Sequence, residues 1–289
     1  MTVASKTALS PRRRAYDRSL RTLLYVCSGI TVALLVFLIG YIFYRGVPGL
    51  SWQLISGQTS YIRNTVGILP NLLNTLYIIL VAMVVVLPLG VGAAIYLTEY
   101  AASGRLVRII EFAAETLTGI PSIIFGLVGM MLFVQKLGLQ AGILAGSLTL
   151  VMMILPTIIR TTQESLKTVP QSYREGALAL GAGKWHMVRT VVLPGAVDGI
   201  VTGCILAIGR IVGESAALLF TAGTGKVLAS SIAKAYTSSG ATLSVALYMT
   251  VSEDGDFTVG YAIAAVLMVL VLCLNGLAKL ARKKLKRDM

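Results

Sequence analysis

The stretch VPQSYREGALALGAGKWHMVRTVVLPGA runs from Val169 to Ala196. Pro170 cannot continue a helix from the residue before it. Ser172 suits an N-cap, and Glu175, three residues on, completes a capping box. Tyr173, Ala177 and Leu180 recur at i, i+4 and i+7, one apolar edge of a short helix. Gly181 and Gly183 stop it. Trp185 and Met187 follow before the chain turns apolar again near Leu193 and Pro194. The reading is a short amphipathic helix with small residues where a partner can approach closely.

On either side of this segment the chain is apolar. Of 289 residues, 56% are hydrophobic and 13% charged, more apolar surface than a soluble domain of this size can bury. A helix needs about 20 apolar residues to cross the hydrocarbon layer. Six stretches qualify: Thr22–Tyr44, the part of Asn64–Thr98 from about Leu72, Thr116–Gln135, Leu137–Ile159, Thr190–Thr221 and Phe257–Ala278. The first is too long for a signal-peptide core and lacks a small-residue cleavage pattern, so it is expected to stay. Residues 235–252 are also uncharged, but short and rich in Ser and Thr. They read as an interfacial segment within an external loop, 225–256. The fold class is therefore all-α, a polytopic membrane protein with six transmembrane helices.

The net charge of +13 is a statement about topology. Six basic residues precede the first span, Arg105 and Arg108 follow the second, and six lie from Lys279 to Arg287. Arg160, Lys167, Arg174, Lys184 and Arg189 lie between spans four and five. The opposite side holds Arg45, Arg63, Lys136, Lys226 and Lys234. The positive-inside rule puts both termini in the cytoplasm, with basic tails over 1–21 and 281–289. Separate membrane-proximal clusters are not the single basic face of a nucleic-acid binder, so no nucleic-acid partner is expected.

Enzyme chemistry has no constellation here. FTAGTGKV offers Gly225-Lys226, but Phe220 and Val227 stand where a phosphate-binding loop needs Gly and a hydroxyl. There is no GxSxG and no HExxH. His186 is the only histidine, and Cys27, Cys204 and Cys273 form no CxxC pair, so neither a metal site nor a cofactor is expected.

The segment 170–194 resembles the EAA loop of ABC importer permeases. That pattern is Glu-Ala-Ala, three residues, Gly, nine residues, Ile-x-Leu-Pro. Glu175, Ala177, Gly181, Leu193 and Pro194 match; Gly176 replaces the middle Ala and Val191 the Ile. LTGIPSIIFGL (Leu117–Leu127) and GRIVGESAALLFTAG (from Gly209) add a resemblance to the PstA family of phosphate permeases that covers roughly Leu72 to the end, with the permease domain expected over 64–280. The resemblance implies a type I ABC importer permease fold in a bacterial or archaeal inner membrane. It implies a coupling helix with Tyr173 on it, docked on a cytoplasmic ATPase dimer. It also implies a second related (PstC-like) permease subunit and an extracytoplasmic phosphate-binding protein.

Within the fifth span stand Arg210 and Glu214, expected at i, i+4 on one helix face. Charges inside spans usually face a water-filled path. A guanidinium matches phosphate with a planar fork of donors, and a neighbouring carboxylate would hold the fork and weaken binding enough for release. The resemblance implies phosphate passage at these two positions. A structural ion pair is the plainer reading. Rival functions are a permease for another oxyanion or small solute, a secondary transporter, and a non-transporting scaffold. Gly199 and Gly203, Gly142 and Gly146, and Gly209 and Gly213 repeat a small-residue spacing suited to close helix packing. Asp198 is expected near the cytoplasmic interface in a structural role. Arg160 is expected as an interfacial anchor at the end of span four, and Asn71 and Asn74 as interhelical hydrogen bonders.

Overall fold

The computed structural model describes residues 11–60, 65–101, 104–226, 234 and 238–287. The first ten residues of the basic tail, Arg63 and part of the 225–256 loop, with Val227, lie outside that range. Helix α1 (Pro11–Gly46) is followed by α2 (Trp52–Ser56), capped by the Ser51 hydroxyl on Leu54 N. A small antiparallel hairpin, β1 (Gln58–Ser60) and β2 (Thr65–Ile68), leads into α3 (Leu69–Ile95). That helix ends in a wide turn, Tyr96–Tyr100. Helices α4 (Arg105–Thr118), α5 (Ser122–Gly129, continuing to Lys136) and α6 (Ile143–Lys167) follow.

The quoted segment forms α7 (Gln171–Ala179) and α8 (Lys184–Met187). A wide turn, Val188–Val192, joins α8 to α9 (Leu193–Gly213). Then come α10 (Ala216–Thr221), α11 (Leu243–Ser252) and α12 (Phe257–Arg287).

Among the described residues five helices are long and apolar enough to cross a membrane, or six if the bent pair α4–α5 counts as one span. Three of the expected spans are corrected. The third does not run from Thr116: Val107–Thr118 and Ser122–Lys136 meet at 104°. Pro121 has no N–H to give and disfavours helix in the residue before it. The fourth begins six residues later than expected, at Ile143, after a turn through Gly138 (φ +68°), and runs on to Lys167. The fifth breaks at Glu214. The stretch read as interfacial holds α11, whose Leu243, Ser244, Val245 and Ala246 are buried. It lies inside the bundle against α3 and α12.

Helices α3, α6 and α9 make the centre. One apolar cluster holds Ile78, Val86, Leu150, Ile154, Ile211 and Val245; a second, at the coupling end, holds Ala94, Leu166, Met187 and Val192. Glycine permits the tightest approaches: Gly90 lies against Ile158, Gly199 against Ser165, Gly203 against Thr161 and Gly146 against Ala222. Gly209 and Gly213 differ from the expectation, with nothing close to where a Cβ would stand. The most apolar stretch of α1 is wholly uncovered, and Gly46 near its end meets Tyr261 and Ala265 of α12.

Candidate path and coupling site

Helix α9 stops at Gly213, and Glu214 is extended (φ −78°, ψ 121°). The expected shared helix face of Arg210 and Glu214 therefore does not form. The Glu214 carboxylate turns to the next helix, where Oε1 accepts from Ala217 N at 3.0 Å. Its backbone oxygen accepts from the Ser244 hydroxyl at 2.7 Å. Among the described residues no ion pair joins Arg210 to Glu214, so the idea of a carboxylate steadying the guanidinium is corrected too.

Arg210 is half-buried in the last turn of α9. Among the described residues it makes no hydrogen bond and no ion pair. The free carbonyls at a helix C-terminus partly offset its charge. They leave most of the fork's donors open.

The chain around the break is held by polar side chains from α3. Asn71 and Asn74 each donate to Ala241 O, at 3.0 and 3.2 Å, so they bond the loop ahead of α11 and not, as expected, another helix. Leu243 N donates to the Thr75 hydroxyl at 3.0 Å. Thr242 caps α11 by accepting from Val245 N. Buried backbone groups away from water need such partners. This network fixes α11 beside Glu214.

At the other end of α3, helix α7 starts earlier than expected. Pro170 stands at its N-terminus without a side-chain cap, so Ser172 lies inside the helix and the capping box with Glu175 does not form. The stop is as read: Gly181 adopts φ +82°, with Gly181 N on Leu178 O and Ala182 N on Ala177 O. Tyr173, Glu175 and Gly176 are exposed, Ala177 and Leu193 are half-buried, and Pro194 opens α9. Leu180 is 90% exposed, and Tyr173 and Trp185 are about as open as each other.

Arg174 was counted in the sequence only as a basic loop residue. Its side chain is 11% exposed and meets Glu99, 6% exposed, at 2.8 Å. Nη1 also donates to Val169 O at 2.6 Å and Nη2 to Leu166 O at 2.8 Å. No local spacing signals a pair 75 positions apart. Arg160 is corrected from an anchor at a helix end. It lies within α6 and pairs with Glu115 and Glu164, both at 3.2 Å, beside a cavity of about 260 Å³. Asp198 pairs with Arg282 of α12 at 2.8 Å, a structural contact as expected.

Residues 86–287 match the family described as binding-protein-dependent transport system inner membrane component. A probable ABC transporter permease, YqgI of Bacillus subtilis, is 40% identical over 73% of this chain and 72% of its own. The phosphate transport system permease protein PstA of Haemophilus influenzae is 32% identical over 93% of this chain and 94% of its own. Among solved structures, a bacterial ABC transporter involved in import of the acidic polysaccharide alginate superposes with a TM-score of 0.64. It is 13% identical and covers 94% of this chain and 99% of its own. The MetNI methionine ABC transporter gives 0.53 at 21% identity, over 77% and 94%. These likenesses agree with the all-helical fold: the chain belongs to the inner-membrane components of binding-protein-dependent transport systems, in their PstA branch.

Proposed function

We propose that the chain is the permease subunit of an ATP-driven phosphate importer and that Arg210 contacts phosphate in transit. The observation that carries the reading is a half-buried guanidinium, near the end of a span, with no acid of its own chain bonded to it among the described residues. Such a charge is costly in hydrocarbon, and an arriving oxyanion with several strong acceptors satisfies it. Glu214 acts on the path through the backbone: it caps α10 and holds the break open beside Arg210. Gly209 and Gly213, on either side of Arg210 in α9, have open space where a Cβ would stand.

One subunit of this kind leaves its path open on one side, and a second, related permease closes it. Tyr173, Glu175, Gly176, Ala177, Gly181, Leu193 and Pro194 belong to the surface and hinge that receive an ATPase dimer. Exposed Tyr173, Leu178, Leu180 and Trp185 give that contact its apolar anchors. ATP hydrolysis belongs to those partners. A phosphate-binding protein delivers the anion to the external side, where the 225–256 segment lies, and both termini face the cytoplasm.

The test is ATP-dependent phosphate uptake by the chain reconstituted with its second permease, ATPases and binding protein. Arg210→Lys keeps the charge and loses the fork, so uptake falls while assembly stays intact. Uptake by Arg210→Lys equal to the parent would reject bidentate recognition.

A further inference from the structure

Helix α7 poses a mechanical problem. A lever passes force through what it is fixed to, yet none of its nine residues is buried. Its backbone lies near α8 and the Val188–Val192 turn. Ala177 packs against the apolar cluster at this end, but among the described residues the polar attachment of α7 to the central helices is a single side chain. The Arg174 guanidinium reaches the carboxylate of Glu99, in the wide turn closing α3. The same group takes the carbonyls of Leu166 and Val169, at and just beyond the C-terminal end of α6. The Leu166 oxygen also accepts from Val169 N at 3.3 Å, and a cation at a helix C-terminus is favoured by the backbone dipoles. Three acceptor groups, a carboxylate and two carbonyls, suit the several donors of a guanidinium better than an ammonium.

We propose that Arg174 and Glu99 are the positioning pair that joins the coupling helix to α3 and α6. Movement of α7 is passed to both helices at once. At its far end α3 carries Asn71, Asn74 and Thr75, which hold residues 241–243 beside Glu214. The pair thus stands at one end, and the break at Glu214 at the other, of a single helix. This inference rests on the reading of α7 as the ATPase contact.

The experiment compares complexes carrying parent chain, Arg174→Lys and Glu99→Gln, each reconstituted with ATPases, second permease and binding protein. Three quantities are measured: recovery of assembled complex, ATP hydrolysed per phosphate imported, and nucleotide-dependent hydrogen exchange in α3. Arg174→Lys keeps the charge opposite Glu99 but cannot span the carboxylate and both carbonyls. The expected result is normal assembly, about fivefold more ATP hydrolysed per phosphate, and loss of the nucleotide-dependent change in α3 protection. Glu99→Gln keeps both carbonyl contacts and gives a smaller change in the same direction.

An unchanged ratio with unchanged exchange in Arg174→Lys overturns the proposal. So does failure of that variant to assemble with the ATPases, which would make Arg174 a docking residue. If the parent complex imports no phosphate, the proposed substrate is wrong; the exchange experiment, which needs only nucleotide, still decides whether the pair transmits movement.

Discussion

Arg174 and Arg210 are the same side chain in opposite circumstances. Arg174 is nearly buried and saturated: a carboxylate and two carbonyls take its donors. Arg210 is half-buried in an apolar helix with no protein acceptor among the described residues. The first arrangement resists removal, because Glu99 would be left charged and alone. The second gains nothing for the fold from its charge. The difference separates a residue that holds the protein together from one retained for what it meets.

That contrast gives the largest expected effect. Arg210→Gln removes a charged fork from the path, and phosphate uptake falls about a hundredfold, the weight of a bidentate charged contact. Thermal unfolding of the detergent-solubilised subunit stays level or rises, since an uncompensated charge has left an apolar span. A clear fall in its stability would place Arg210 in the first class with Arg174.

Arg174→Gln reverses the pattern. The subunit loses about 3–5 kcal/mol through the stranded Glu99 carboxylate. Adding Glu99→Gln removes the stranded charge and recovers a large part of that loss, so the double-variant cycle shows strong coupling. Additive losses in unfolding measurements would mean that the two side chains do not act as a pair.

Much of this architecture is legible in the residues themselves. Long uncharged runs bounded by charged residues reveal α1, α3 and α12, because the hydrocarbon layer demands length and apolarity and little else. Gly181 marks the end of α7 because φ +82° is a glycine conformation. What stays hidden depends on contacts distant in sequence. Helical spacing put Glu214 on the face of Arg210, but a carboxylate can instead cap the N-terminus of a following helix, as it does on Ala217. Ser and Thr made residues 235–252 look interfacial. In the fold Thr242 and Ser244 bond to each other, and Ser244 bonds the broken span, which lets a polar segment sink into the bundle. The Arg174–Glu99 pair has no local signature at all.

A middle-sized effect tests the far end of α3. Ala241 O accepts from both Asn71 and Asn74, so either amide alone keeps that buried carbonyl satisfied. Asn71→Ala or Asn74→Ala costs about 1 kcal/mol, and the double variant costs more than the sum, since only it strands the carbonyl. Glycines sharpen the same point. Gly203→Val forces a branched side chain onto Thr161 and costs about 1–3 kcal/mol. Gly209→Ala, with open space before it, stays within about 0.5 kcal/mol.

The smallest effect among the ion pairs belongs to a third arginine. Arg282 meets Asp198 at 2.8 Å, a distance equal to that of Arg174 and Glu99, but the two side chains are 43% and 42% exposed. Water screens the attraction and solvates either partner if the other is removed. Arg282→Gln therefore costs at most about 1 kcal/mol and leaves phosphate uptake near the parent level. Raising the salt concentration shrinks even that difference, whereas the loss in Arg174→Gln persists in high salt because salt does not reach a buried carboxylate. Unfolding of both variants across a salt series would show whether burial, and not the length of the contact, sets the rank of these pairs.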